Sequence, residues 1–212
     1  MSDPLLQRAF GTQDAPEPDQ TTDRILESAL GQFEDFGLRR ATIEDVARRA
    51  SVSRITIYRR FPRKELLIEA VILRELRSFL AQLDAAVARY ENTDDRLVEG
   101  FVFTLNFLRG HTLLNRLLKT EPESLVPYLT VEAGPILAAA REFLTARIGE
   151  EVCAERPPPL SLEVAGELLA RLVLSFLLTP DSVARLETTD DARQFALRHL
   201  APLLHLSSAT TK

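Results

Sequence analysis

The chain has 212 residues, a net charge of −5 and a single cysteine, Cys153, so an internal disulfide framework is excluded. Its 45% hydrophobic and 27% charged residues are ordinary for a globular protein. The most apolar run, "LLARLVLSFLL" at 168–178, contains Arg171 and is too short to span a bilayer. The opening "MSDPLLQRAF" lacks the basic start and apolar run of a signal peptide. A cytoplasmic protein without membrane insertion is expected.

Residues 1–20 hold Pro4, Pro16 and Pro18 among acidic residues and read as a flexible tail. From Thr22, Ile25, Ala29, Phe33 and Phe36 recur at helical steps, and Gly37 supplies a stop. Thr42 opens a short helix with Asp45 three residues on, a capping box with a short acid. Residues 53–60 form a second short helix, and 62–90 a long amphipathic one with Pro62 at its start. Helices are predicted over 95–109 and 112–120, then an irregular or kinked "TEPESLVPYLT" holding Pro122 and Pro127. Residues 131–149 are helical, "AERPPPLS" is a loop, Ser161 caps a helix over 162–178, and a last helix runs over 190–204. No strand run or repeat stands out. The fold class is all-α, with about nine helices.

The charge is unevenly spread. From Arg39 to Lys64 nine Lys/Arg face only Glu44 and Asp45, a local net of +7 that leaves −12 for the rest. A basic block in an acidic protein marks a docking place for an anionic partner. Within it "ASVSRITIYRRF" (50–61) is rich in β-branched and aromatic residues, which favour strand. As a helix it places Val52, Ile57 and Phe61 on one side, against Val46, Ala50 and Phe33. Burying one isoleucine returns roughly 1.5–3 kcal/mol, against a propensity penalty of a few tenths per β-branched residue. Packing outweighs propensity. Two short helices and a tight turn, covered by the helix over 22–36, make a helix-turn-helix unit whose second short helix suits the DNA major groove.

The stretch "ILESALGQFEDFGLRRATIEDVARRASVSRITIYRRFPRKELLIEAV" resembles the N-terminal signature of the tetracycline-repressor (TetR) family of transcription regulators. The landmarks are Ile25, Ala29, Phe33, Gly37, Thr42, Ala47, Ala50, Val52, Ser53, Thr56, Tyr58, Phe61, Lys64 and Leu67, in register and without a gap. Ser51 stands where the family usually has glycine, Ile55 at a position often small, and Arg60 where histidine is common. The resemblance implies a DNA-binding domain over 21–68 and a ligand-binding and dimerisation domain over 69–212. It implies phosphate contacts for Thr42, Tyr58 and Lys64. Ser53, Arg54, Ile55 and Thr56, at the start of the recognition helix, are candidates for base edges, Arg54 for guanine and Ile55 or Thr56 for a thymine methyl. Arg59 and Arg60 are candidates for further phosphate contacts.

The last two helices carry Val164, Leu168, Leu172, Phe176, Phe195, Leu200 and Leu203 on broad stripes, and the resemblance implies that they form a homodimer interface. A two-fold dimer would present two recognition helices to a palindromic operator in double-stranded DNA. Phe101, Leu105, Phe107, Leu108, Leu113, Leu117, Phe143, Leu172 and Phe176 are candidates for lining an effector pocket, with Asn106, His111, Asn115, Arg116 and Arg141 as polar candidates. This composition favours a hydrophobic effector, an acyl or alkyl chain, and the resemblance implies a repressor that the effector releases from DNA. The alternative is a helical small-molecule or lipid-binding protein that has lost specific DNA binding. No catalytic motif, metal-ligand spacing or cofactor fingerprint is present. Glu121 and Glu123 read as a pair of solvated loop carboxylates, so no enzyme, metal or cofactor is expected.

Overall fold

The computed structural model describes residues 19–152, 161–184 and 186–204. The expected tail up to 18, most of "AERPPPLS" and residues Cys153 and His205 lie outside them. The described residues contain no strand and ten helices. These are α1 (Gln20–Arg40), α2 (Ile43–Arg49), α3 (Arg54–Arg60), α4 (Lys64–Val87), α5 (Thr93–Gly110), α6 (Thr112–Thr120), α7 (Pro122–Leu129), α8 (Gly134–Val152), α9 (Leu162–Leu178) and α10. The last begins as Thr189–Phe195, passes through a π-helical turn at Ala196–Leu200 and ends as Ala201–Leu204. No described helix is long and apolar enough to cross a membrane.

The helices group into two compact units. The first holds the described residues up to Phe79 together with His111–Thr130; the second holds Leu80–Gly110 and the described residues from Val131 on. The units are not continuous in sequence: α6 and α7 group with the helices up to Phe79. Their apolar residues explain it, because Leu113 and Leu117 are buried in one cluster with Ile25, Phe33, Val46 and Ile57.

In the first unit, α1 starts two residues before the expected position. Asp19 is its N-cap and accepts from the Thr22 backbone N–H at 2.7 Å. Gly37 adopts φ 82, ψ 170 and interrupts the regular helix where the sequence placed its stop. The Thr42 and Ser53 hydroxyls each accept from the backbone N–H three residues on, Asp45 and Thr56, both at 3.1 Å. Ile57 is fully buried, and Val52 and Phe61 pack partly buried on the same cluster. The strand-like residues are thus helical, as the packing argument requires. The "TEPESLVPYLT" region is the correction: Pro122–Leu129 is a helix. Pro122 sits in its first turn, where no N–H is missed, and Pro127 interrupts only one bond in so short an element.

In the second unit Leu97, Val98, Phe101, Val102 and Leu105 of α5 are buried with Ala165 and Val173 of α9 and Ala192, Ala196 and Leu200 of α10. Phe195 stacks on Phe101 at 6.0 Å between ring centroids and meets Phe176 edge-on at 5.5 Å. Arg193 donates to both carboxylate oxygens of Glu99 at 2.5 and 2.9 Å, which holds the Glu99 carboxyl below its usual value. Gly166 lets α9 approach α8: a Cβ there would lie 3.0 Å from the Ala140 carbonyl oxygen.

Candidate nucleic-acid interface

The reading head is built from three short pieces of chain. α2 ends at Ala50, Ser51 turns the chain with φ 54, and Ser53 caps α3. Ser51 is the one described non-glycine residue with positive φ, in the left-handed region that usually selects glycine. The turn is closed by the Val52 backbone N–H donating to the Ala47 carbonyl at 3.0 Å. With Ile57 locked in the core, the opposite side of α3 faces solvent. Ile55 is 80% exposed and Tyr58 49% exposed, while Ser53, Arg54 and Arg59 are also exposed and Thr56 is half-buried.

The predicted site residues separate by what holds them. Arg54 pairs with Glu44 on α2 through Nη1, and its exposed guanidinium keeps further donors for a second partner. The Thr56 hydroxyl shares a 2.9 Å hydrogen bond with that of Ser53. The Thr42 hydroxyl donates to the Asp45 carboxylate at 2.5 Å, and this bond, with Arg48 beside it, keeps the Asp45 carboxyl below its usual value. Lys64, at the start of α4, donates from Nζ to the Arg39 carbonyl at 3.2 Å and is half-buried. Arg60 is tied back to α1. Its Nε donates to the Thr22 hydroxyl at 3.0 Å and its Nη2 to Asp19 at 2.6 Å, tying the end of α3 to the N-cap of α1. Asp19 is lowered from 3.8 to about 2, first by the Thr22 backbone N–H and then by Arg60.

Sequence reasoning missed Glu44, because an acid in the first turn of a helix is ordinary and only the fold sets it beside Arg54. It also misjudged Glu121, which is 6% exposed rather than solvated. Among the effector candidates, Phe101 and Leu105 are buried in one cluster of the second unit, with Leu108, Leu172 and Phe176 packed against it. Phe107 lies half-buried against Phe103 at 6.0 Å, and Phe143 is half-buried on α8. Leu113 and Leu117 are not brought to that cluster; they belong to the core of the first unit. Arg141 on α8 is paired with Glu167 on α9 at 2.7 Å.

An exposed, arginine-rich helix set on a tight turn, over a three-helix core, defines a helix-turn-helix protein. Residues 25–71 match the family described as bacterial regulatory proteins, tetR family, and residues 93–198 the bacterial tetracyclin repressor C-terminal domain, which by itself spans half of the chain. The chain belongs to the tetR family of bacterial regulatory proteins. An uncharacterized HTH-type transcriptional regulator of Mycobacterium tuberculosis is 31% identical over 130 residues, 60% of this chain and 65% of that relative. The match therefore spans just under two thirds of the relative's length. Among solved structures, the TetR family repressor AlkX from Dietzia, implicated in biodegradation of n-alkanes, is similar with a TM-score of 0.62 and 23% identity, covering 90% of this chain and 98% of AlkX. GusR of Salmonella enterica is similar with a TM-score of 0.64 and 21% identity, covering 91% and 100%. These two likenesses concern the fold.

Proposed function

We propose that this protein binds a palindromic DNA operator as a homodimer in the cytoplasm and represses transcription until a hydrophobic effector releases it. The observation that carries the reading is the recognition helix: Ile55 at 80% exposure, flanked by Arg54 and Arg59, on a surface whose apolar side is already buried. A largely exposed isoleucine among arginines has a use against a thymine methyl, and Arg54 against guanine. Thr42, Tyr58 and Lys64 supply the flanking phosphate donors.

Support for the dimer comes from Val164 and Leu168 on α9 and Leu197 on α10, large apolar residues left exposed on the last two helices. Support for a hydrophobic effector comes from the aromatic cluster of Phe101, Phe176 and Phe195, and from the likeness to AlkX. An effector acts by the difference in its affinity for two states of the dimer, and α4, whose chain begins in the first unit and ends in the second, is the covalent route.

Sequence selection on random duplex DNA with the purified protein tests the reading. The expected product is a palindrome, and Arg54→Ala lowers affinity for it by about 1–3 kcal/mol while relaxing one position of each half-site. Recovery of no palindrome rejects operator binding in favour of a lipid-binding protein that has lost it. Thermal-shift screening with fatty acids, alkanes and polar metabolites tests the effector class; stabilisation by polar compounds alone rejects the hydrophobic one.

A further inference from the structure

One carboxylate belongs neither to the reading surface nor to an apolar core. Glu121, between α6 and α7, is the one buried charged residue among those described, at 6% exposure. Burying a carboxylate is costly unless its oxygens are satisfied. Here both accept from the Arg39 backbone N–H, at 3.2 and 3.4 Å, and the Arg39 Nε lies 3.9 Å away. The space exists because residue 37 is glycine: a Cβ there would lie 2.1 Å from the Glu121 Oε1, and the φ of +82 disfavours any other residue. The buried Nε of Arg116, which has no hydrogen-bond partner, lies beside the same notch.

The other face of the same residue is also held, since Lys64 donates to the Arg39 carbonyl at 3.2 Å. The backbone of Arg39 is therefore held on both sides, its N–H by the α6–α7 junction and its C=O by the start of α4. Three residues further on, Thr42 caps α2. α2 and α3 share one core through Val46, Ala50 and Ile57, so the joint between α1 and α2 sets the pose of both.

We propose that Glu121 is a positioning residue for DNA binding: it fixes the α1–α2 joint and thereby aims the N-terminus of α2 and the recognition helix at the duplex. The proposal rests on the DNA-binding reading above. Without that acceptor the Arg39 N–H returns to water and the end of α1, Arg39 to its C-cap Ala41, gains freedom that binding must then remove. The residue that supplies this acceptor lies 82 positions along the chain from Arg39 and is itself buried, so its effect on reading passes through the joint.

The test is fluorescence anisotropy on the selected duplex at several salt concentrations, with thermal melts of the same samples. Glu121→Ala has no acceptor and Glu121→Asp is one methylene too short to reach the Arg39 amide. Both weaken binding about tenfold at temperatures where they are fully folded, the worth of one hydrogen bond to a charged group (about 1.4 kcal/mol). Their salt slope stays that of the parent, because no phosphate contact is lost. Glu121→Gln keeps an acceptor at the same reach and stays within about threefold of the parent, less than the worth of one such bond. Lys64→Ala, in contrast, lowers the slope by about one. A merely structural role would lower the melting temperature of all three and leave the affinity of folded protein unchanged, which overturns the proposal. Equal weakening by Asp and Gln overturns it too. Should Glu121→Ala not fold, the Asp–Gln comparison decides. A parent protein that selects no duplex removes the DNA reading and this proposal with it; a parent that binds, with Glu121→Asp unchanged, removes this proposal alone.

Discussion

Ser51→Gly is the substitution for which the structure gives the most direct magnitude. Ser51 holds φ 54, where a Cβ crowds the following carbonyl at a cost of roughly 1–2 kcal/mol. Glycine removes that cost but has more backbone freedom to lose on folding, roughly 0.4–1 kcal/mol. Nothing else changes: Ser51 is exposed, and its backbone N–H keeps its 3.2 Å bond to the Arg48 carbonyl. The net is a stabilisation of about 0.5–1 kcal/mol. For a chain of this size that raises the melting temperature by about 1–4 °C. Thermal melts and urea midpoints at constant m-value measure it. A Ser51→Gly melting temperature at or below that of the parent refutes the claim that the turn is strained, and Ser51→Val, β-branched at the same φ, is expected to melt lower than both.

Three further outcomes follow from particular contacts. Arg60→Ala, which loses the bonds to Thr22 and Asp19, destabilises by about 1 kcal/mol and leaves the salt slope of DNA binding unchanged; a slope reduced by about one would return Arg60 to the phosphate contacts. Asp19 is held at about 2 in the fold against 3.8 otherwise, so its contribution is complete above 3.8 and disappears as the pH falls through that window. Asp19→Asn should therefore narrow the gap to the parent between those pH values in acid-unfolding curves, and a constant gap would exclude the linkage. Gly166→Ala places a Cβ 3.0 Å from the Ala140 carbonyl oxygen and the Arg141 Cα, backbone atoms that cannot step aside. Overpacking of about 1–3 kcal/mol exceeds the roughly 1 kcal/mol gained in helix propensity, so melting should be lower; a higher melting temperature would mean that α8 and α9 part freely.

The sequence by itself determined what depends on neighbours a few residues away. The apolar steps of Ile25, Ala29 and Phe33 mark α1, the hydroxyls of Thr42, Ser53 and Ser161 cap their helices, and Gly37 interrupts α1. The recognition helix was legible against its own propensity, because Val52, Ile57 and Phe61 can share one buried side only if the segment is helical. What the tertiary structure decided depends on residues distant in the chain. Leu113 and Leu117 carry the same helical spacing whether they face an effector or α1, and only packing assigns them to the first unit. Pro127 reads as a helix breaker until Pro122–Leu129 is seen to be too short for the loss to matter. Arg60 sits 41 residues from Asp19, and Glu121 sits 82 from Arg39. Charge is the least local of the sequence's properties: a carboxylate or guanidinium is solvated, paired or buried according to what folding brings beside it, and no period in the chain encodes that partner.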